Sequence, residues 1–403
     1  MKTDLNCWAD IEFQLQWESR YGKHSDNYFA RRVNLWRDIF PKPLLDQLMD
    51  RSIGDSIDAM FKEGDLIPKP APSKLFNIKP GQFGRTFRPG ELIYPRSGRF
   101  YPKGLLKDIA NVFRVNIEPF RCARVEDASI LVDFNHPLSG AQPHLKAIIR
   151  NIETKPRERR SGGPCNDWME TVTTGPGMQA RWNGQPTDFL SDNPFARTDD
   201  TPDSRFYGGP RMVDHLDATA IEKVSGVYGS LIPAGSHVLD LMSSWKSHIP
   251  SNLELGGVTG LGMNREELSQ NGQLKDFVIH DLNANPSLPF DGERFDAVIC
   301  TVSVEYLTNP PAVFEEVGRV LKTGGCLVLT FSNRWFPPKV VAIWKQLYEF
   351  ERLGLVSEYF LLSGKFKDIG TLSLRGLPRP PEDKYYGELS DSDPVYAVWA
   401  YKA

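Results

Sequence analysis

Cysteine is scarce in this chain. Its 403 residues contain five, and none of them lies in a CxxC pair: Cys7, Cys122, Cys165, Cys300 and Cys326. An odd and scattered set argues against a disulfide framework and against a zinc knuckle, and it favours a reducing compartment. Cys300 and Cys326 lie inside apolar runs, where a small buried hydrophobe is the expected role.

The sequence also lacks long apolar runs and an excess of positive charge. No apolar stretch approaches the roughly 18 residues that span a bilayer, and the start MKTDLNCWADIEF has no apolar core of a signal peptide. The 48 Lys and Arg residues face 51 Asp and Glu residues, a net charge of −3. We therefore expect a soluble, cytoplasmic protein with neither nucleic-acid nor membrane partners. Single cores rarely exceed roughly 250 to 300 residues, so two or three domains are expected.

Between residues 234 and 333, short apolar runs alternate with helical or turn segments. The runs are HVLDLM, GVTGLGM, DFVIHDLN, FDAVICTVSVEYL and CLVLTFS. Such runs are typical of buried parallel strands linked by crossovers. The pattern predicts an α/β, doubly wound (Rossmann-like) sheet, whose ligands lie beyond the carboxyl ends of its strands. After it we expect a helix and a final antiparallel hairpin that ends in VYAVWAYK.

These segments resemble the class I S-adenosylmethionine-dependent methyltransferases, in particular the methyltransferase type 11 group. HVLDLMSSWKSHIP stands where the family carries V-L-D-L-G-x-G-x-G, and VTGLGMN, VIHDLNANPSLPFDGERFDAVIC and VFEEVGRVLKTGGCLVLTFSN resemble its later motifs. The SSWKSH run is similar to a plant and bacterial subgroup with SSWxSH at this turn. The resemblance covers residues 238–333. It implies S-adenosyl-L-methionine as cofactor and methyl transfer to an unknown acceptor, either a small molecule or a protein.

Two features of the family motif are missing. Where the family has glycines that let the backbone pass beneath the cofactor, this chain has Met242, Ser244 and Lys246. Where an acidic residue accepts both ribose hydroxyls, it has Gly262. Losing one hydrogen bond to such a carboxylate weakens the binding free energy of the cofactor by about 1.5 to 3 kcal/mol.

Other anchors remain. Asp281 matches the aspartate beside the adenine amino group, and Asp240 matches the aspartate that braces the loop. Side-chain donors in the run 243–246 are expected to bind the cofactor's carboxylate, and Asn264 a ribose hydroxyl. The resemblance therefore implies these cofactor-binding residues: Asp240, Met242, Ser243, Ser244, Gly262, Met263, Asn264, Asp281 and Leu282.

Trp245 leaves two interpretations open. Its indole would either occupy the cofactor's volume, with the loop closed over an empty crevice, or stack on the adenine or the substrate. The first interpretation gives a non-catalytic binding protein with a degenerate methyltransferase fold, and the second gives an enzyme.

Three residues are candidates for catalysis: His248, Glu305 and Tyr306. Methyl transfer needs a base only if the acceptor's nucleophile is protonated. His248 is a candidate base, with a hydrogen-bonded loop histidine as the alternative. Glu305 and Tyr306 stand where the family often has Glu-His, which favours a role in the pocket.

The first 155 residues predict a small, mostly β domain of the α+β class. We expect a strand at 11–17, followed by a helix that the spacing of Phe29, Val33, Trp36 and Phe40 predicts. Residues 44–68 should form a helix, a glycine turn and a strand. Two or three antiparallel strands are expected over 113–140, and a last strand at 144–152.

Within this region, VDFNHPLSG resembles the SlyD-like branch of the FKBP-type prolyl isomerases, which carries V-D-x-N-H-P-L-A-G. The resemblance covers residues 11–152, and the insertion before this motif corresponds to the flap that binds unfolded chains. It implies a peptidyl-prolyl isomerase or chaperone-like, peptide-binding role. The last strand has Ala147 where the family usually has an aromatic residue. A fold retained for docking or stability is the alternative.

Breaker-rich runs at 155–164 and 193–205 give the expected boundaries: an FKBP-like domain over 1–155, a linker over 156–205 and a methyltransferase-like domain over 206–403. A long helix over 210–233 should lead into the first strand of that domain. No metal site is expected, because His136 and His144 have no third ligand at a recognisable spacing. We expect His136 to fix its own turn by hydrogen bonds.

Overall fold

The computed structural model describes residues 1–59, 61–88, 91–155 and 165–403. Residues 156–164 of the breaker-rich run at 155–164 lie outside the described residues. The strands, in chain order, are β1 (Cys7–Ser19), β2 (Gly22–Val33), β3 (Ser56–Ala59), β4 (Leu75–Ile78), β5 (Thr86–Arg88), β6 (Glu91–Leu92), β7 (Phe100–Pro102), β8 (Pro119–Val125), β9 (Ile130–Asp133), β10 (His144–Thr154), β11 (His237–Leu241), β12 (Gly257–Gly262), β13 (Asp276–Ile279), β14 (Phe295–Thr301), β15 (Leu321–Phe331), β16 (Phe366–Arg375) and β17 (Val395–Lys402).

The helices, in chain order, are α1 (Lys42–Leu48), α2 (Trp168–Thr173), α3 (Asp203–Phe206), α4 (Ala218–Leu231), α5 (Arg265–Gln270), α6 (Pro310–Val320), α7 (Ala342–Gln346) and α8 (Glu349–Ser363). No helix among the described residues is both long and apolar enough to cross a bilayer. In the same residues, no group of three or more His, Cys, Asp or Glu side chains is arranged to hold a metal ion.

One sheet of eleven strands runs in the order β13-β12-β11-β14-β15-β17-β16-β2-β1-β10-β3. Strands β11 to β15 are parallel neighbours, with Val238 opposite both Val258 and Ala297. β17 then inserts antiparallel between β15 and β16. The predicted α/β sheet and its final antiparallel hairpin are therefore confirmed for the C-terminal half.

The first strands of the chain extend this sheet. β2 pairs in parallel with β16, from Gly22 opposite Ile369 to Tyr28 opposite Arg375. At this seam the fully buried Asp26 accepts hydrogen bonds from Ser373 Oγ at 2.8 Å and from Arg375 Nη2 at 3.1 Å. Strands from both predicted domains thus lie in one sheet. The boundaries at 155 and 206, and the resemblance of residues 11–152 to prolyl isomerases, stay predictions.

A second sheet, in the order β4-β9-β8-β7, encloses its own apolar core. The NHPLSG turn leaves it after β9. Asn135 accepts a hydrogen bond from the amide of Ala71 and donates one back to its carbonyl, at 2.8 and 3.2 Å. His136 accepts from the amide of Leu138 and bonds to the carbonyl of Thr173. The expected role of His136 in fixing this turn is confirmed.

Two predicted helices differ from the structure. Phe29 and Val33 belong to β2, where an extra residue near Arg32 (φ 52°) makes a β-bulge and breaks the period-two alternation. The helix expected over 210–233 begins only at Ala218, because the Asp217 carboxylate caps it by accepting from the amide of Ala220 at 2.9 Å. Residues 203–217 instead form a short helix and a loop.

Candidate functional site

A cavity of about 150 Å³ lies at the carboxyl ends of β11 to β14. The loops after these strands form its floor, and residues 203–216, which we call the strap, form its roof. All nine residues predicted to bind the cofactor line this one cavity, together with two of the three candidate catalytic residues: Asp240, Met242, Ser243, Ser244, Gly262, Met263, Asn264, Asp281, Leu282, His248 and Tyr306. Their roles stay predictions, but the fold brings them together.

The loop after β11 turns without glycine. Met242 and His248 adopt left-handed backbone conformations, with φ of 57° and 55°. The amide of Ser243 donates to the carbonyl of Leu261 at 2.8 Å, and its hydroxyl donates to Asp240 Oδ2 at 2.6 Å. Burial raises the pKa of Asp240 to about 6. Asp240 therefore braces the loop, as the resemblance implies.

The side-chain donors expected to compensate for the lost glycines are occupied. Ser244 Oγ donates to Glu267 Oε2 at 2.6 Å, and Lys246 Nζ lies 2.8 Å from both carboxylate oxygens of Asp214. Asn264 caps α5 with its Oδ1, while its Nδ2 donates to the carbonyl of Tyr207. These groups hold the loop and the strap, so the predicted direct bonds from Ser244, Lys246 and Asn264 to a cofactor would require existing bonds to break.

Gly262 is fixed by close packing. A Cβ atom at this position would lie 2.2 Å from the carbonyl oxygen of Ser243. No side chain fits there without moving the loop after β11, so the missing carboxylate cannot simply be restored.

Asp281 keeps acceptor capacity. Its Oδ1 accepts from the amides of Asn283 and Ala284 at 3.0 and 3.2 Å. No described residue donates to its Oδ2. The carboxylate is therefore oriented by its own turn and still has an oxygen available at the cavity.

The indole of Trp245 lines the cavity and leaves it open. Its Nε1 donates to the carbonyl of Val213 at 3.1 Å, and the Lys246 ammonium lies 4.1 Å from the ring centroid. The bond to Val213 ties the indole to the strap, and the Lys246 contact lies within the loop after β11. The indole does not fill the cavity, and its stacking on an adenine or a substrate stays a prediction.

Aromatic residues that the sequence analysis missed, Phe336 and Tyr207, line the cavity. Phe336 packs against Tyr306, His215 and Tyr207, with ring centroids 5.9, 5.2 and 6.5 Å apart. The Arg211 guanidinium lies 5.4 Å from the Phe336 ring. The aromatic and histidine content of FYGGPRMVDH is the signal for Tyr207 and His215, but the sequence analysis places residues 210–215 of this segment in a helix.

Two histidines, His215 and His248, line the cavity. Burial lowers the pKa of both His248 and His215. Burial therefore favours the neutral form of each imidazole, which has one ring nitrogen able to accept a proton.

Glu305 does not line the cavity. It is 1% exposed, and neither of its carboxylate oxygens has a hydrogen-bond partner among the described residues. Burial raises its pKa to about 8, against a weaker opposing effect of the Arg352 charge. Its neighbour Tyr306 does reach the cavity, where its hydroxyl accepts from the amide of Phe336 at 2.8 Å.

Comparisons with known proteins agree with this fold. Residues 252–329 match the family described as "Methyltransferase domain", Methyltransf_11. The match begins after β11 and its glycine-free loop.

Two curated relatives are ubiquinone/menaquinone biosynthesis C-methyltransferases. The Laribacter hongkongensis protein is 32% identical over 30% of this chain and 48% of its own length. The Xanthomonas campestris protein is 28% identical over 33% and 51%. The chain thus spans about half the length of these relatives. A solved S-adenosylmethionine-dependent methyltransferase from Aquifex aeolicus aligns with 47% of this chain and 92% of its own, at 16% identity and a TM-score of 0.31.

Within the C-terminal half, residues 252–329 are therefore similar to a methyltransferase domain. The cofactor that this domain implies is S-adenosyl-L-methionine. The matched family model and the sequence relatives cover about a third of the chain or less.

Proposed function

We propose that this chain is an S-adenosylmethionine-dependent methyltransferase whose active site is the cavity beneath the strap. One observation carries the proposal. Residues from three separate loops, chosen by resemblance alone, line a single cavity that stays open beside Asp281.

The residues of the cavity fit the cofactor at its adenosine end. Met242, Met263 and Leu282 supply apolar surface for a flat ring, and the free oxygen of Asp281 can accept from an amino group. The fit is weaker at the amino-acid end, where Ser244 and Lys246 are already paired. When bound, the cofactor supplies a methyl group on a positively charged sulfur.

The protein's own contribution is mainly alignment and exclusion of water. Holding a nucleophile and an electrophile in line supplies most of the catalysis in such a transfer. The strap closes the cavity through Trp245 and Asn264, which both bond to its carbonyl groups. Where the acceptor's nucleophile carries a proton, His248 or His215 is placed to take it, because both line the cavity and burial favours their neutral form.

We further infer that the acceptor is flat and largely apolar. The cavity is lined by Tyr207, Tyr306 and Phe336, whose rings suit stacking against a planar group. The C-methyltransferases of ubiquinone/menaquinone biosynthesis among the relatives make such an acceptor a reasonable first choice for assay.

Calorimetric titration with S-adenosylhomocysteine tests the proposal. The wild-type chain should bind, and Asp281→Asn should raise the Kd at least tenfold, the loss expected for one hydrogen bond to a charged acceptor. Asp291→Asn is the matched control, since Asp291 is exposed and does not line the cavity. Absence of wild-type binding at millimolar ligand would overturn the proposed function.

A further inference from the structure

We propose that Glu267 accepts the ribose hydroxyls of the cofactor, in place of the carboxylate that is missing at the end of β12. This inference rests on the proposed function. It names a binding residue that neither the family motif nor the sequence analysis supplied.

The usual position is closed to a carboxylate. The 2.2 Å approach of the Ser243 carbonyl leaves no room for a side chain at 262. The polar atoms of Asn264 are committed to capping α5 and to holding the strap. A ribose bound beside β12 therefore needs an acceptor from another part of the wall.

Glu267 stands in that wall. It is the third residue of α5, directly after the turn that leaves β12, and it lines the cavity. Its Oε1 accepts from the amide of Arg211 at 2.7 Å, and its Oε2 accepts from Ser244 Oγ at 2.6 Å. These two bonds fix the carboxylate between the strap and the loop after β11.

The carboxylate keeps capacity for two more donors. Each oxygen has two lone-pair sites, and each accepts one hydrogen bond from the protein. A pair of neighbouring hydroxyls can therefore donate one bond to each oxygen, which is how the missing acid would have acted.

The other carboxylates of the cavity wall are less suitable. Asp203 is paired with Arg197 and Lys339, and Asp214 with Lys246. Asp240 lies behind Ser243, fully buried. Asp281 lies on the far side of β12, after β13, at the position matched to the adenine amino group. Glu267 is the remaining acidic side chain of the described wall.

The test is a double-mutant cycle between the side chain and the ligand. The Kd values of S-adenosylhomocysteine and of its 2′-deoxyribose analogue are measured by calorimetry for wild type, Glu267→Gln and Glu266→Gln. We expect Glu267→Gln to weaken S-adenosylhomocysteine at least tenfold. Removing the 2′-hydroxyl should weaken wild-type binding about tenfold but binding by this variant less than threefold. Glu266 is exposed on the same helix and lies outside the cavity wall, so Glu266→Gln should behave as wild type.

Equal weakening of both ligands by Glu267→Gln would overturn the inference and leave Glu267 as a brace for the strap. An unchanged Kd for the variant would overturn it as well, while wild-type binding would still support the proposed function. Absence of wild-type binding would remove both proposals. If Glu267→Gln unfolds, Glu267→Asp takes its place, because a carboxylate shorter by one methylene should lose the same hydroxyl-dependent affinity.

Discussion

Two buried carboxylates, Asp26 and Glu305, differ in whether they have hydrogen-bond partners. At the seam between β2 and β16, Asp26 is fully buried and bonded to Ser373 and Arg375. Behind the cavity, Glu305 is just as buried and has no hydrogen-bond partner among the described residues. A paired buried charge joins elements, whereas an unpaired one destabilises the fold and is typical of functional sites. Asp26 thus stabilises the seam, whereas Glu305, behind the cavity, has no such stabilising partner among the described residues.

The largest effect is expected at the seam. Asp26→Ala leaves the Arg375 guanidinium without its partner in the sheet, so unfolding free energy should fall by about 3 to 5 kcal/mol in urea titrations. Glu18→Ala is the control, because Glu18 makes only an exposed pair with Lys23 at 3.6 Å, and such pairs contribute about 0 to 1 kcal/mol. Equal effects of the two substitutions would mean that the buried pair does not hold the seam.

Glu305→Gln should change stability with the opposite sign. The pKa of Glu305 is raised from 4.5 to about 8, so between these pH values the folded protein binds the proton more tightly than the unfolded chain does. Wild-type stability therefore falls as pH rises through this window. At pH 9 the unfolding free energy of the variant should exceed that of wild type by up to about 5 kcal/mol, because the pKa of Glu305 rises from 4.5 to about 8 and each pKa unit corresponds to about 1.4 kcal/mol. The difference should vanish below pH 4.5, and a pH-independent difference would contradict the assignment.

Gly262→Asp restores the residue type that the family motif has, yet we expect it to damage the site. Its Cβ would overlap the Ser243 carbonyl, and overpacking of this kind costs about 1 to 3 kcal/mol. S-adenosylhomocysteine should bind more weakly. Gly272→Asp, where no atom lies within 4 Å of the added Cβ, is the control. Tighter binding by Gly262→Asp would contradict this expectation and show that the loop after β11 moves to accommodate the new side chain.

The smallest effect is expected for Lys246→Met. The ion pair with Asp214 is more than a third exposed on both sides, so its loss should cost less than about 1 kcal/mol. Binding of S-adenosylhomocysteine should change by less than threefold. A tenfold loss would mean that Lys246 leaves Asp214 to contact the ligand.

The sequence predicts the parallel half of the sheet well because its signals are local. Each strand from β11 to β15 is a short apolar run bounded by breakers, and neighbouring runs pair with one another. The seam has no local signal, since residues such as His24 and Thr371 are 347 positions apart in the chain. The bulge near Arg32 gives the apolar residues of β2 a spacing typical of a helix, so the sequence pattern does not predict this strand.

The candidate site, too, is predicted from the sequence only in part. Resemblance predicts which residues surround the cavity, because the strand ends carry them there. It does not predict that Ser244 and Lys246 are already bonded to Glu267 and Asp214, since those pairings depend on where the strap lies. The roles of Arg211 and His215 were missed because the strap was assigned to a helix that begins later, at Ala218.

The parallel pairing of β2 with β16 also constrains how the chain can be made and divided. β2 leaves the ribosome more than 300 residues before β16 is synthesised. The edge of β2 that pairs with β16 is therefore unpaired during most of synthesis. A recombinant fragment that starts at residue 206 would expose the facing edge of β16 as an open template for intermolecular strand pairing. Expression of residues 206–403 alone should therefore give aggregates.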